Sequence, residues 1–82
     1  MEFKVYILQS QLDGSYYIGY TTDLEKRLSN HNSGKSNYTS KKIPWKVVYS
    51  ENFATKSEAL RREKFLKKQK NSEFYLRLIR NN

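Results

Sequence analysis

Apolar positions come in short runs separated by turn signals, and their period changes along the chain. Phe3 to about Leu8 is a compact run centred on Val5, Tyr6 and Ile7, of strand rather than helix length. Asp13-Gly14 marks a turn, and Tyr16, Tyr17, Ile18, Gly19 and Tyr20 form a second, aromatic strand. The two pair as an antiparallel hairpin with a longish loop. Thr22-Asp23-Leu24-Glu25 fits a capping box with Thr22 as N-cap, opening a helix that runs to about Asn32 and stops at Gly34. Its apolar stripe is thin, formed by Leu24 and Leu28. Ser33 to Lys42 is a polar loop ended by Pro44, and Trp45 to Tyr49 is a third strand. Thr55-Lys56-Ser57-Glu58 is a second capping box, opening a helix over Lys56–Lys68. Asn71 or Ser72 caps a last short helix bearing Phe74, Leu76, Leu78 and Ile79. The order is β-β-α-β-α-α. This predicts an α/β fold, a single small domain over residues 1–82, with a three-stranded, mostly antiparallel sheet flanked by helices.

One position breaks the pattern. With about 100° between successive helical residues, Ala59, Leu60 and Leu66 cluster on one side of the Lys56–Lys68 helix, and Glu63 projects among them. Lys67 lies one turn on, near the same face. Burying even a neutral polar group without a partner costs roughly 2–7 kcal/mol. Glu63 is therefore expected to meet a cation, a metal ion or a catalytic cleft. Arg27 and His31 fall beside the Leu24/Leu28 stripe in the same way.

Composition narrows the choices. A chain of 82 residues buries roughly 60% of its unfolded surface, so the core is thin, and seven Tyr, four Phe and one Trp supply much of it. There is no Cys, which excludes a disulfide framework and a thiolate zinc site, and one His excludes a multi-histidine metal site. The opening run contains Lys4 and lacks the features of a signal peptide, and no segment has the length of a membrane span. The expected location is the cytoplasm. Sixteen Lys and Arg against eight Asp and Glu point to a polyanionic partner. The charge is clustered: Lys56 to Lys70 holds seven basic residues and two acids, and Lys35 to Lys46 holds four Lys and no acid.

Tyr6, then Tyr17-Ile18-Gly19, Arg27 and Glu63 follow one another in an order and spacing that resemble the GIY-YIG nuclease family. Tyr20-Thr21-Thr22-Asp23-Leu24, Lys26-Arg27-Leu28, His31-Asn32 and Ala59-x-x-x-Glu63 add to the resemblance, which spans about Val5 to Lys67. The first motif is degenerate: Lys4-Val5-Tyr6 stands where the family has Gly-Ile-Tyr. The length is similar to that of small stand-alone bacterial members.

The resemblance implies metal-assisted hydrolysis of a phosphodiester, with DNA or else RNA as partner and no nucleotide cofactor. Asp13 fits a turn, Asp23, Glu25, Glu58 and Glu73 fit helix first turns, and Glu2 and Glu51 fit strand ends, which leaves Glu63 as the inward acid. So few acids favour a single Mg²⁺ or Mn²⁺ bound through Glu63. Read from the residues alone, an internal ion pair of Glu63 with Lys67 or Arg27 stands equally open. By the same resemblance Arg27 binds the scissile phosphate, and Tyr6 and Tyr17 orient or deprotonate the attacking water, Tyr6 as base and Tyr17 as positioning group. An unperturbed Tyr, with a pKa near 10, is a poor base at neutral pH, so neighbouring cations would have to depress it. His31, in a position held by Tyr in some relatives, either takes the water's proton or holds a phosphate. Gly19 lets the substrate backbone approach, and Tyr20 stands where some relatives carry Lys. Lys35, Lys41, Lys42, Arg62 and Lys67 are expected to contact phosphates, and Tyr38 to stack on a base. A catalytically inactive nucleic-acid-binding module is the competing expectation.

Overall fold

In the computed structural model, residues 2–35 and 38–81 are described. The chain forms β1 (Phe3–Ser10), β2 (Tyr16–Thr21), α1 (Leu24–Asn32), β3 (Trp45–Phe53), α2 (Lys56–Gln69) and α3 (Ser72–Arg80). The predicted β-β-α-β-α-α order holds. Positions 36 and 37, in the middle of the predicted Ser33–Lys42 loop, and the two terminal residues lie outside the described residues.

Apolar continuity explains why β1 is central. The sheet order is β2-β1-β3, and both pairings are antiparallel. Val5, Tyr6, Ile7 and Leu8 are all buried, as a strand covered on both faces requires. Val5 and Ile7 face one cluster with Ala59 and Leu66 of α2 and Tyr75 of α3. Tyr6 and Leu8 face the other, with Trp45 and the Leu24/Leu28 stripe of α1. The sheet is thus a partition: α1 on one side, α2 and α3 on the other.

The third strand changes faces part-way. Strict alternation would put Trp45, Val47 and Tyr49 on one side. A register shift intervenes: Ile7 pairs with Tyr49 while Leu8 pairs with Val47, so Val48 is an extra residue. Trp45 and Val47 therefore pack beside Tyr6, and Tyr49 packs beside Ile7. The strand also runs to Phe53, beyond the predicted end at Tyr49, because Ser50 to Phe53 continue to pair along β1.

Three further expectations are corrected. The cap of α1 is Asp23, not Thr22: its carboxylate accepts from the Lys26 N–H at 3.1 Å. An acid at that position also favours the positive end of the helix dipole. Leu60 is 38% exposed, so the buried stripe of α2 is narrower than its apolar pattern. In α3 the buried residue is Tyr75, whereas Leu76 is exposed. The caps at Thr55 and Asn71 form as expected, Thr55 accepting from the Glu58 N–H at 3.2 Å and Asn71 from Glu73 and Phe74.

Candidate active site

The site begins where β1 and β2 are paired. Tyr6 lies opposite Gly19, and the phenol folds across it: a Cβ at Gly19 would sit 2.6 Å from Tyr6 Oη. Glycine is thus required so that Tyr6 can lie flat on its neighbouring strand. Its place is under the Tyr6 hydroxyl.

Tyr6 Oη is 3.3 Å from His31 Nε2, and His31 Nδ1 is 2.9 Å from Thr39 Oγ1. Helix α1 brings His31 here because Asn32 ties its end to β3. The Asn32 side chain accepts from the Trp45 N–H at 2.6 Å and donates to the Trp45 carbonyl at 3.0 Å. Thr39 is fully buried, and its carbonyl accepts from Trp45 Nε1 at 3.0 Å. Tyr17 closes the group, its ring 4.8 Å from that of His31 and 6.5 Å from that of Tyr6.

Electrostatics assign different states to these groups. Burial pushes the Tyr6 phenol above its ordinary pKa. Tyr17 adds to the rise, Arg27 opposes it and Glu63 raises it again. His31 is held below its ordinary value, first by burial and then by the Arg27 charge, so it is neutral at pH 7. Tyr6 thus holds its proton more tightly than an isolated phenol, and Arg27, the cation that opposes the rise, does not reverse it. Neutral His31 keeps one ring nitrogen free to accept. In the tautomer whose Nδ1–H donates to Thr39 Oγ1, the Nε2 lone pair faces the Tyr6 hydroxyl.

Arg27 is exposed, and among the described residues no carboxylate pairs with it. With Tyr17, Asn30, His31 and Lys35 it lines a cleft of about 280 Å³. Glu63 is half-buried, its side chain 16% exposed, and Lys67 one turn on is 3.5 Å away. Of the two ion pairs open from the sequence, the structure contains the one with Lys67, a surface-type contact between helix neighbours. Glu63 lines a neighbouring hollow with Lys64, Lys67 and Lys70. Arg27 and Glu63 line separate hollows, and the charge of each is felt at the Tyr6 phenol, Arg27 lowering its pKa and Glu63 raising it.

Among the described residues, no three His, Cys, Asp or Glu converge as a metal cage. A single carboxylate beside open solvent suits a hard ion that keeps most of its waters and takes substrate oxygens, as Mg²⁺ and Mn²⁺ do. Glu63 fits one such ion where its exposed contact with Lys67 opens.

Several candidates are elsewhere. Arg62 makes a bidentate pair with Glu51 at 2.9 and 3.1 Å, and Tyr49 donates to the same carboxylate. Glu51 is thus a second inward-facing acid, not a strand-end one, and Arg62 is its partner. Lys42 is 3.4 Å from Asp13, fastening the β1–β2 turn. Asp13 itself is held down to about 2, chiefly by hydrogen bonds from Ser15 and also by Lys42. Tyr20 packs against the α2–α3 side of the core. Lys35 and Tyr38 border the site, and Lys41 lies in the exposed turn before Pro44. Thr39, Asn30 and Lys70 were not foreseen. Lys70 carried a sequence signal, the basic run, whereas Thr39 had none.

Comparison with known proteins gives the family. Residues 2–76 match the GIY-YIG catalytic domain, and the chain belongs to that family. Among its relatives are small bacterial proteins of the UPF0213 group. A UPF0213 protein of Streptococcus pneumoniae serotype 4 is 51% identical over 67 residues, covering 80% of this chain and 67% of the relative. The UPF0213 protein YazA of Bacillus subtilis is 43% identical over 72 residues, covering 84% and 73%. The solution NMR structure of the UPF0213 protein BH0048 from Bacillus halodurans superposes with a TM-score of 0.61 at 37% identity, covering all of this chain and 86% of that one. No helix among the described residues is long and apolar enough to cross a membrane.

Proposed function

We propose that this protein is a metal-dependent endonuclease that hydrolyses nucleic-acid phosphodiester bonds, DNA first, with structure rather than sequence as the determinant of cutting. The observation that carries the reading is the Tyr6–His31 pair, a buried phenol against a neutral imidazole, beside Tyr17 and at the edge of the Arg27 cleft. A structural tyrosine needs none of these neighbours.

Arg27 binds the scissile phosphate, and its guanidinium offsets the charge that grows on the phosphoryl oxygens. Tyr17 holds the attacking water in line. The water gives a proton to Tyr6 Oη as the phenol's own proton moves to His31 Nε2. The hydroxide oxygen forms its bond to phosphorus as the bond to the leaving sugar oxygen breaks. Because both protons move together, no free phenolate forms, consistent with the raised affinity of Tyr6 for its proton. Thr39 keeps the imidazole in the accepting tautomer and stabilises the imidazolium. Glu63 is the residue that would hold a divalent ion, which when bound would supply Lewis-acid stabilisation of the charge on the phosphate. Lys35 and Lys67 hold flanking phosphates.

The test is Tyr6→Phe, which keeps the ring and removes the relay atom. Single-turnover cleavage of branched and duplex DNA with Mg²⁺ or Mn²⁺ falls by about 100-fold or more, the scale of lost acid–base catalysis. Unchanged turnover removes Tyr6 from the mechanism. Binding without cleavage by the wild type on every DNA and RNA tried leaves the nucleic-acid-binding module as the answer.

A further inference from the structure

A second concavity adjoins the catalytic cleft. It has a volume of about 530 Å³ and lies between the outer strand β2, the loop at Tyr38 and the corner where α2 passes to α3. Its walls are aromatic. Tyr16 meets Tyr75 edge to face at 5.4 Å, and Tyr38 leans on Tyr17 at 5.9 Å. Lys67 and Lys70 stand on its border, and among the described residues no acid lines it.

Two features tie the hollow to the reaction centre. Tyr17 is shared with the Arg27 cleft, and Lys67 is shared with the hollow that holds Glu63. A strand crossing from Arg27 toward Glu63 therefore passes over it. Tyr38 is 65% exposed, a large aromatic surface without cover on the one side of the hollow. Lys70 adopts a left-handed backbone (φ 44°), and its N–H donates to Tyr75 Oη at 3.3 Å. Tyr75 in turn donates to the Leu66 carbonyl at 2.6 Å. The corner that presents Lys70 is thus fixed by the same tyrosine that forms the aromatic wall.

Aromatic faces beside cations match one chemistry closely: a nucleobase with its phosphate. The faces of a base in continuous duplex are covered by its neighbours, so only an unstacked base can enter. We infer that this hollow receives one unpaired nucleobase next to the scissile phosphate, with Tyr38 stacking on it and Lys67 and Lys70 holding its phosphate. The favoured substrate is then a strand with an extruded, bulged or single-stranded nucleotide at the cut. The choice of substrate rests on the nuclease reading, whereas occupancy of the hollow can be measured without cleavage.

The experiment uses two duplexes of one sequence without divalent ions, one with a single bulged 2-aminopurine and one with that base paired to thymine. Binding is read by anisotropy and base unstacking by 2-aminopurine emission. The bulged duplex binds about tenfold more tightly, in line with one base stacked on an aromatic ring, and its emission changes on binding. Tyr38→Ala brings the affinity ratio toward one, and Tyr38→Phe keeps it. Lys70→Gly, which suits the left-handed backbone and so keeps the fold, lowers the salt slope of binding by about one. A wild-type ratio of one with unchanged emission overturns the proposal, even if Mg²⁺ cleaves both duplexes. A concentration-dependent dimer abolished by Tyr38→Ala would assign the hollow to a second copy and also overturn it. The predicted ratio with no Mg²⁺-dependent cleavage supports the subsite and removes the nuclease reading instead.

Discussion

At the scale of single residues, Gly19 is where backbone and chemistry meet. The space its side chain would fill is occupied by the Tyr6 phenol. Gly19→Ala must push that ring off β2 and away from His31. The expected cost is about 1–3 kcal/mol of stability, as for other overpacked sites, together with a loss of turnover like that of Tyr6→Phe. Urea denaturation beside single-turnover cleavage checks both, and an Ala variant with normal values in each would contradict the packing. Tyr6, Tyr17, Arg27 and Glu63 stand out in the sequence as candidates because their order and spacing resemble those of the family. Their states are not legible there. The direction of the Tyr6 shift depends on burial between α1 and the sheet, and no local sequence feature reports that.

Elements show the same division. Caps and strands were readable because Thr55, Asn71 and the apolar runs act over three or four residues. The bulge at Val48 was not, since it depends on how β3 meets β1. It sends Trp45 to the α1 side, where Asn32 and Thr39 fasten to it and so position His31. Helix α1 and the loop after it consequently carry a titratable group in the core. The folded protein holds His31 below the ordinary value near 6.5, so the unfolded chain takes up the proton first as the pH falls. Stability from this group is complete above pH 6.5 and declines from there down to the folded-state pKa. Urea midpoints should therefore drop between pH 7 and 5, a window in which unperturbed carboxylates stay mostly ionised, and His31→Gln should flatten the drop. An equally steep decline in the variant would assign it to other groups.

Across the whole molecule, charge and cleft are on compatible scales. Lys35 lies in the Arg27 cleft and Lys64 and Lys70 stand beside Glu63, whereas Lys42 and Arg62 are engaged with acids of the fold and Lys67 makes an exposed pair with Glu63 that a phosphate can replace. Net charge of +8 thus overstates the cations available to a substrate. With roughly four phosphate contacts, affinity for duplex DNA should fall about 100-fold between 50 and 200 mM salt, measured by anisotropy. A flat response would mean that the basic surface does not face the nucleic acid. The central claim is that Glu63, alone among the carboxylates, serves the reaction. Its most direct test is Glu63→Gln, which keeps size and polarity, with DNA binding and Mg²⁺- or Mn²⁺-dependent nicking measured on the same preparation. The account predicts near-normal binding and nicking reduced by at least about 100-fold. Nicking at the wild-type rate by Glu63→Gln would contradict it.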